Sequence, residues 1–360
     1  MKLINLRFAF VAILACVMLS PLSAQSEEMI LRCVAFYNLE NVFDTIHDEG
    51  KNDYEYLPDG GMKWTKFKYE QKIQNMAYAI AQLGTDEDPR GAACVGVSEV
   101  ENIGCLHDLC RELKEKHNRN YVPILLEGPD RRGIDVGFLY NPDMFKPVGH
   151  KGYELKAHYA DGGVVRSRLQ LWVSGYMLDD NRKIVMDKIH ISVNHWPSRS
   201  GGEESSRATR DTAAMLVKHV ADSIYMREPR AKIIVMGDLN DDPFNNSCAV
   251  IIGAKKTREE VQPQGFFNTM WQKLDRGVGS LAYQGSWNLF DQIMISEPLM
   301  NAKVEDGKWV YWKSQIFNKP FLTVQEGKDK GTPFRTVKSG VWQNGYADHY
   351  PTMIYLIKKK

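Results

Sequence analysis

Apolar and polar positions along this chain fall into two alternating rhythms. Short apolar runs at 30–37, 92–97, 121–125, 134–140, 169–176, 183–193, 232–236, 290–295 and 352–357 read as strands. Between them lie stretches with apolar residues at three- and four-residue spacing. The clearest is 66–83, where Phe67, Ile73, Met76, Ala77, Ile80 and Leu83 mark one buried helix face; 103–117 and 207–226 also fit helices. This alternation predicts an α/β fold. No repeat, low-complexity tract or Pro/Ser-rich linker interrupts it, so one folding unit over 25–360 is expected. Residues 308–346 stand apart as a long loop carrying Trp309, Tyr311, Trp312, Phe317, Phe321, Phe334 and Trp342 among lysines and glycines. Such a loop either packs on the body as a satellite core or takes part in recognition.

The first 24 residues follow another pattern. Lys2 and Arg7 flank the start of an apolar run from Phe8 to Leu19, and small Ser23 and Ala24 precede a polar Gln25-Ser26-Glu27-Glu28. A spanning helix needs ~20 apolar residues, so this shorter run reads as a secretory signal peptide cleaved after Ala24. Export to the periplasm or the exterior is expected. A lipid anchor at Cys16, suggested by Ile13-Leu14-Ala15-Cys16, is the competing reading, although the apolar stretch continues past that cysteine. Cleavage removes two cations and no acids, leaving 44 Lys+Arg against 45 Asp+Glu. No global basic field remains, and any polyanion has to be gripped locally. Cys33, Cys94, Cys105, Cys110 and Cys248 survive cleavage, an odd number with no CxxC pair. That pattern argues against a disulfide scaffold and a zinc motif, and it makes Cys33 and Cys94 small core residues.

Polar chemistry concentrates where the expected strands end. The places are Asn38-Leu39-Glu40-Asn41, Ser98-Glu99-Val100-Glu101-Asn102, Asn194-His195-Trp196-Pro197-Ser198-Arg199, Gly237-Asp238-Leu239-Asn240-Asp241 and Asp348-His349-Tyr350-Pro351. Each alone has a structural explanation as a strand end, a helix-terminal carboxylate or a turn. Turns do not need His or Glu, and the set together favours chemistry. Oxygen donors from Asp, Glu and Asn suit a hard divalent cation such as Mg²⁺, with Mn²⁺ as a substitute. A histidine beside it can orient or deprotonate a nucleophile, and another can protonate a leaving oxygen. Phosphate-ester hydrolysis is the implied reaction. A Ser/His/Asp hydrolase competes, but no Gly-x-Ser-x-Gly elbow is present.

In this order the five motifs resemble the endonuclease/exonuclease/phosphatase family, most specifically in Gly237-Asp238-Leu239-Asn240 followed far downstream by Asp348-His349-Tyr350-Pro351. The resemblance implies a four-layer α/β sandwich, two mixed β-sheets packed face to face with helices outside. It also implies roles. Glu99 matches the main metal ligand, with Asn38 and Glu40 beside it and Asp348 closing the site. Asp238 and Asn240 match the pair that positions or deprotonates the attacking water. His349 matches the histidine on the scissile phosphate, with Asp291 as its carboxylate partner. His195 matches a second histidine that protonates the leaving group or supports the transition state. Asp135 lies near where a partner for His195 is expected, unless a one-residue offset turns it to the other strand face. Arg132 and Arg199 are candidate phosphate contacts, the alternative for each being a solvated surface arginine. Ser98 and Ala347 stand where the family usually has Gln and Ser, which bears on subfamily rather than on activity.

The expectation is an exported, monomeric, Mg²⁺-dependent phosphodiesterase or phosphatase without a stable protein partner. Nucleic acid, lipid headgroups and small phosphate esters all stay open as substrates. A non-catalytic binding protein on the same fold is the reading from another class; such reuse tends to lose histidines and metal carboxylates, and this chain keeps both.

Overall fold

The computed structural model describes residues 28–159, 161–283 and 285–360, so the expected signal peptide and Cys16 lie outside the described residues. Two six-stranded sheets carry the architecture. The first holds β1 (Met29–Val42), β2 (Ala92–Val100), β3 (Val122–Leu125), β4 (Asp135–Tyr140), β13 (Val310–Ile316) and β16 (Thr352–Lys359), in the spatial order β13-β16-β1-β2-β4-β3. The second holds β5 (Phe145–Tyr153), β6 (Gln170–Leu178), β7 (Ile184–His195), β8 (Lys232–Asp238), β9 (Phe266–Asn268) and β12 (Asp291–Ser296), in the order β5-β6-β7-β8-β12-β9. Two small hairpins, β10 (Leu281–Tyr283) with β11 (Ser286–Asn288) and β14 (Val337–Lys338) with β15 (Val341–Trp342), complete the strands.

Both large sheets are mixed in the same way. A parallel pair, β1/β2 or β7/β8, lies at the centre, and its outer neighbours run antiparallel to it. Residues at the end of one parallel strand therefore stand beside residues at the end of the next.

Side-chain alternation along the strands builds the layers. On β8, Ile234 and Met236 pack with Val193 of β7 and with residues of the first sheet, while Ile233 and Val235 pack under Ala213, Val217 and Ala221 of α3 (Glu203–Arg227). On the far side of the first sheet, α1 (Lys66–Ala81) and α2 (Ile103–His117) bury Met76, Ile80, Leu106, Leu109 and Leu113. The order is helices, sheet, sheet, helix, an α/β sandwich of four layers. At Gly96 of β2 the two sheets press together: a methyl group there would sit 2.6 Å from Met236 Cε and 3.1 Å from Val193 Cγ1.

The strands that periodicity leaves out of the two large sheets are β5, β9 and β13, and all three are edge strands. Polar residues interrupt the pattern of β5, which reads Phe-Lys-Pro-Val-Gly-His-Lys-Gly-Tyr with mostly exposed positions, whereas β9 is buried and only three residues long. The expected loop at 308–346 is corrected accordingly, because its first part is β13, paired antiparallel to β16. Helix α3 begins at Glu203, four residues before the expected start, because its first turn is entirely polar. All five described cysteines are buried and free of disulfides. No helix among the described residues is long and apolar enough to cross a membrane.

Candidate metal and catalytic site

Strand bulges create the site. The β1/β2 register breaks between Asn38 and Val42, and the β2/β4 register breaks between Ser98 and Val100. There Glu40, Asn41 and Glu99 take φ values of 50°, 57° and 63°, and Asn240 after β8 takes 50°. This left-handed region costs non-glycine residues about 1–3 kcal/mol each and persists only where surrounding contacts enforce it. The contacts are present. Glu99 Oε2 accepts the Asn41 N–H (3.0 Å), Asn38 Oδ1 accepts the Glu40 N–H (2.9 Å), and Asp238 Oδ1 accepts the Asn240 N–H (3.0 Å). A bulge re-aims a side chain, and here it turns Glu99 toward the second sheet.

Asp238 stands where the two sheets meet. Its Oδ2 accepts from Asn38 Nδ2 at 3.0 Å and lies 3.6 Å from His195 Nε2 and 4.0 Å from His349 Nε2. Asn38 Nδ2 also donates to Glu99 Oε1 (3.2 Å), which is 3.8 Å from His195 Nε2. Two groups of ligand atoms result, Glu99–His195–Asp238 and Asp238–Asp291–His349, each with its atoms within 4.8 Å of one another. Asp291 Oδ2 lies 2.6 Å from His349 Nδ1, and its other oxygen is buried without a hydrogen-bond partner.

The two imidazoles have opposite acidities. Burial, aided by the charges of Arg168, Arg132 and His349, holds His195 well below the usual imidazole range. Burial works the same way on His349, but Asp291, Asp348 and Asp238 outweigh it and hold that imidazole well above its usual range. For Asp238, burial and the carboxylates of Asp291 and Glu99 push the acid up to about 7, against the opposing charge of His349. Repulsion of this kind between buried carboxylates is what a divalent cation relieves. Glu99 and Asp238 supply hard oxygens that fit Mg²⁺ or Mn²⁺. Asn38, whose oxygen is occupied by Glu40, holds the two carboxylates through its amide hydrogens.

A sequence model described as the endonuclease/exonuclease/phosphatase family matches residues 33–358. The chain belongs to this family. Solved structures share the fold at low identity. An endonuclease/exonuclease/phosphatase family protein from Bacteroides thetaiotaomicron gives a TM-score of 0.52 at 14% identity, covering 92% of this chain and 100% of that one. A mannosyl-6-phosphatase of the same species gives 0.52 at 14%, covering 90% and 99%. A truncated TDP2 from Caenorhabditis elegans gives 0.50 at 13%, covering 91% and 97%. No curated protein sequence matches significantly. Family membership and the two ligand groups make this a hydrolase of the metal-dependent phosphoesterase type.

Other positions named from sequence surround this centre, and Asp348 Oδ1 lies 3.9 Å from His349 Nε2. Glu40 and Asp348 belong to neither ligand group at Asp238. Both bind Arg335, whose guanidinium lies 3.0 Å from Glu40 Oε1 and 3.0 Å from Asp348 Oδ2, while Glu40 Oε2 accepts the Thr336 N–H. Burial and then Asp348 push Glu40 up to about 7, and burial draws the nearby Lys72 down to about 8 against the pull of Glu40. These residues tether the chain around Arg335 and Thr336 to the site. Asp135 does not partner His195: its Oδ1 accepts the Gly128 N–H, and His195 Nδ1 has no partner. Arg199, named as a candidate phosphate contact, braces the loop after β8 in this structure. It binds the Asn240 carbonyl, Glu203, Asp241, Asp242 and Asn245 and stacks over Phe290.

Arg132 does face the site, on the wall of a cleft of about 610 Å³ that also includes Glu99, His195, Asp238, Asn240 and His349. Sequence reading missed Arg335 and Arg168. Arg168 is buried, binds the carbonyls of His195 (3.1 Å) and Trp196 (2.7 Å) and pairs with Asp130 (3.2 Å). Neither lies in a motif; their partners are 13 to 295 residues distant in the chain, and no local signal marks them.

Proposed function

We propose that the protein hydrolyses phosphate esters, monoester or diester, by direct attack of water, with Mg²⁺ as its resident cation and Mn²⁺ able to replace it. One observation carries this reading: the buried Asp238 Oδ2 lies 3.6 Å from His195 Nε2 and 4.0 Å from His349 Nε2, with Glu99 Oε1 3.8 Å from the same His195 nitrogen. A cation held by Glu99 and Asp238 would supply Lewis-acid charge stabilisation to the phosphoryl oxygens. Asp238 orients the water and takes its proton. Asn240 is fixed beside it by the Trp196 carbonyl, 3.1 Å from Nδ2. His349, charged through Asp291, donates from Nε2 to a phosphoryl or leaving oxygen. The neutral His195 suits orientation and hydrogen bonding better than proton donation, which shifts the acid role between the two histidines. We also propose that the protein acts as a monomer, which light scattering of the purified protein tests. The leader-like residues 1–24 support export, which cell fractionation tests.

Hydrolysis of p-nitrophenyl phosphate and bis(p-nitrophenyl) phosphate, with Mg²⁺, Mn²⁺ or a chelator, tests the activity. Turnover with either metal and its loss to chelator are expected; no turnover of either ester with either metal refutes the reading. His195→Ala and Asp238→Asn should each lower turnover by roughly 10²–10⁴.

A further inference from the structure

The cleft holds guanidiniums that no carboxylate pairs, although the acids Glu99, Asp130, Asp161 and Asp238 also line it. Besides Arg168, which is neutralised by Asp130, its wall includes Arg131, Arg132 and Arg166. All three are exposed, and among the described residues none of their guanidinium groups has a hydrogen-bond or ionic partner. Arg132 is the one close enough to His195 to depress its pKa, which places it toward the reacting end. Arg131 and Arg166 also line a neighbouring depression of about 440 Å³ with Lys51 and Asn52. The two hollows thus meet at this pair of free guanidiniums.

We propose that Arg131 and Arg166 form a second anion-binding subsite, and that the substrate is a small phosphate ester carrying another anionic group on its alcohol portion. The inference rests on the phosphoesterase reading for the scissile end only. A guanidinium fork matches phosphate or carboxylate oxygens, and an unpaired one gains most from such a partner. A nucleic-acid strand would require cations along a track. Away from the arginines this wall instead turns to Ser198, Ser200 and Ser205, which suits hydroxyls of a compact ligand. The cleft volume lies within the range of small-molecule sites.

Binding decides the point without turnover. The full-length protein is titrated calorimetrically, in chelator so that no ester is turned over, with propyl phosphate and with flexible 1,n-alkanediol bisphosphates of differing length, whose chains let the second phosphate find the pair. The best bisphosphate should bind at least about tenfold more tightly than propyl phosphate. Arg131→Ala/Arg166→Ala should erase that ratio, and Arg131→Lys/Arg166→Lys should restore part of it. Both pairs are exposed, so folding is retained. A ratio near one in the native protein, or a ratio untouched in the alanine variant, overturns the proposal. So does an oligothymidylate that binds more tightly than every bisphosphate and loses that affinity in the same variant, since it would assign the pair to a strand. Failure of the nitrophenyl ester assay alone would remove the phosphoesterase reading and leave this subsite standing.

Discussion

His349 and His195 have the same side chain and pKa values displaced in opposite directions, and the difference lies in their immediate neighbours. His349 has Asp291 on Nδ1 at 2.6 Å, whereas Nδ1 of His195 has no partner and the cations Arg168 and Arg132 act on the ring. Asp291→Asn therefore brings the His349 pKa down from well above its usual range. A reaction that needs the charged imidazole then loses its alkaline limb at lower pH, and turnover falls by roughly 10²–10⁴; a pH–rate profile against wild type reads both. Glu99→Gln removes a charge while keeping the acceptor for Asn41, so it should weaken Mg²⁺ binding by about tenfold or more, read by titration calorimetry. Unaltered affinity would take Glu99 out of the metal site. His349 and Asp291 were legible as partners because the family resemblance implies that pairing. The Glu40–Arg335–Asp348 link was not, since Arg335 sits in an irregular segment whose position is set by long-range contacts.

Elements decide where these residues point. Two central parallel pairs end beside one another, and bulges at Asn38–Val42 and Ser98–Val100 turn side chains that simple alternation would send elsewhere. This is why Asp135, at the start of β4, looked like a partner for His195 and instead caps Gly128. Close approach of the sheets is equally local. Gly96→Val should cost about 1–3 kcal/mol by overpacking against Met236 and Val193, and Met236→Ala in the same chain should recover part of it, as urea denaturation would measure. No recovery would mean that the strain falls on Val193 or the backbone. Central strands were readable from their apolar runs; β5 and β13 were not, because polar residues interrupt their pattern, and β9 was not, because its three buried residues are too short a run to show one.

For the molecule as a whole, buried acid makes stability depend on pH. Burial pushes Asp135 up to about 7, while unfolding returns it to its ordinary 3.8. Between those values the folded chain holds a proton that the unfolded chain releases, so stability falls as pH rises from about 4 to 7 and then levels off. Asp135→Asn keeps an acceptor for Gly128 and removes the titration. Its stability relative to wild type should rise by roughly 1–3 kcal/mol between pH 5 and pH 8, measured by urea unfolding at both. A constant difference would show that Asp135 stays ionised. Burial also pushes the thiols of Cys33, Cys94, Cys105, Cys110 and Cys248 up. A thiol reagent should therefore modify none of them in the native fold and all of them in denaturant.

Local chemistry alone settled the α/β alternation, the central strands, the buried cysteines and the motif residues that carry carboxylates and imidazoles. These follow from short-range periodicity and from residue type, which a linear chain displays directly. Convergence of Glu99, His195, Asp238 and His349 from two sheets, the opposite displacements of the histidine pKa values, and the free arginines beside them came from folding. Each depends on distances between segments far apart in the chain, and on burial, which no stretch of residues has until the others cover it.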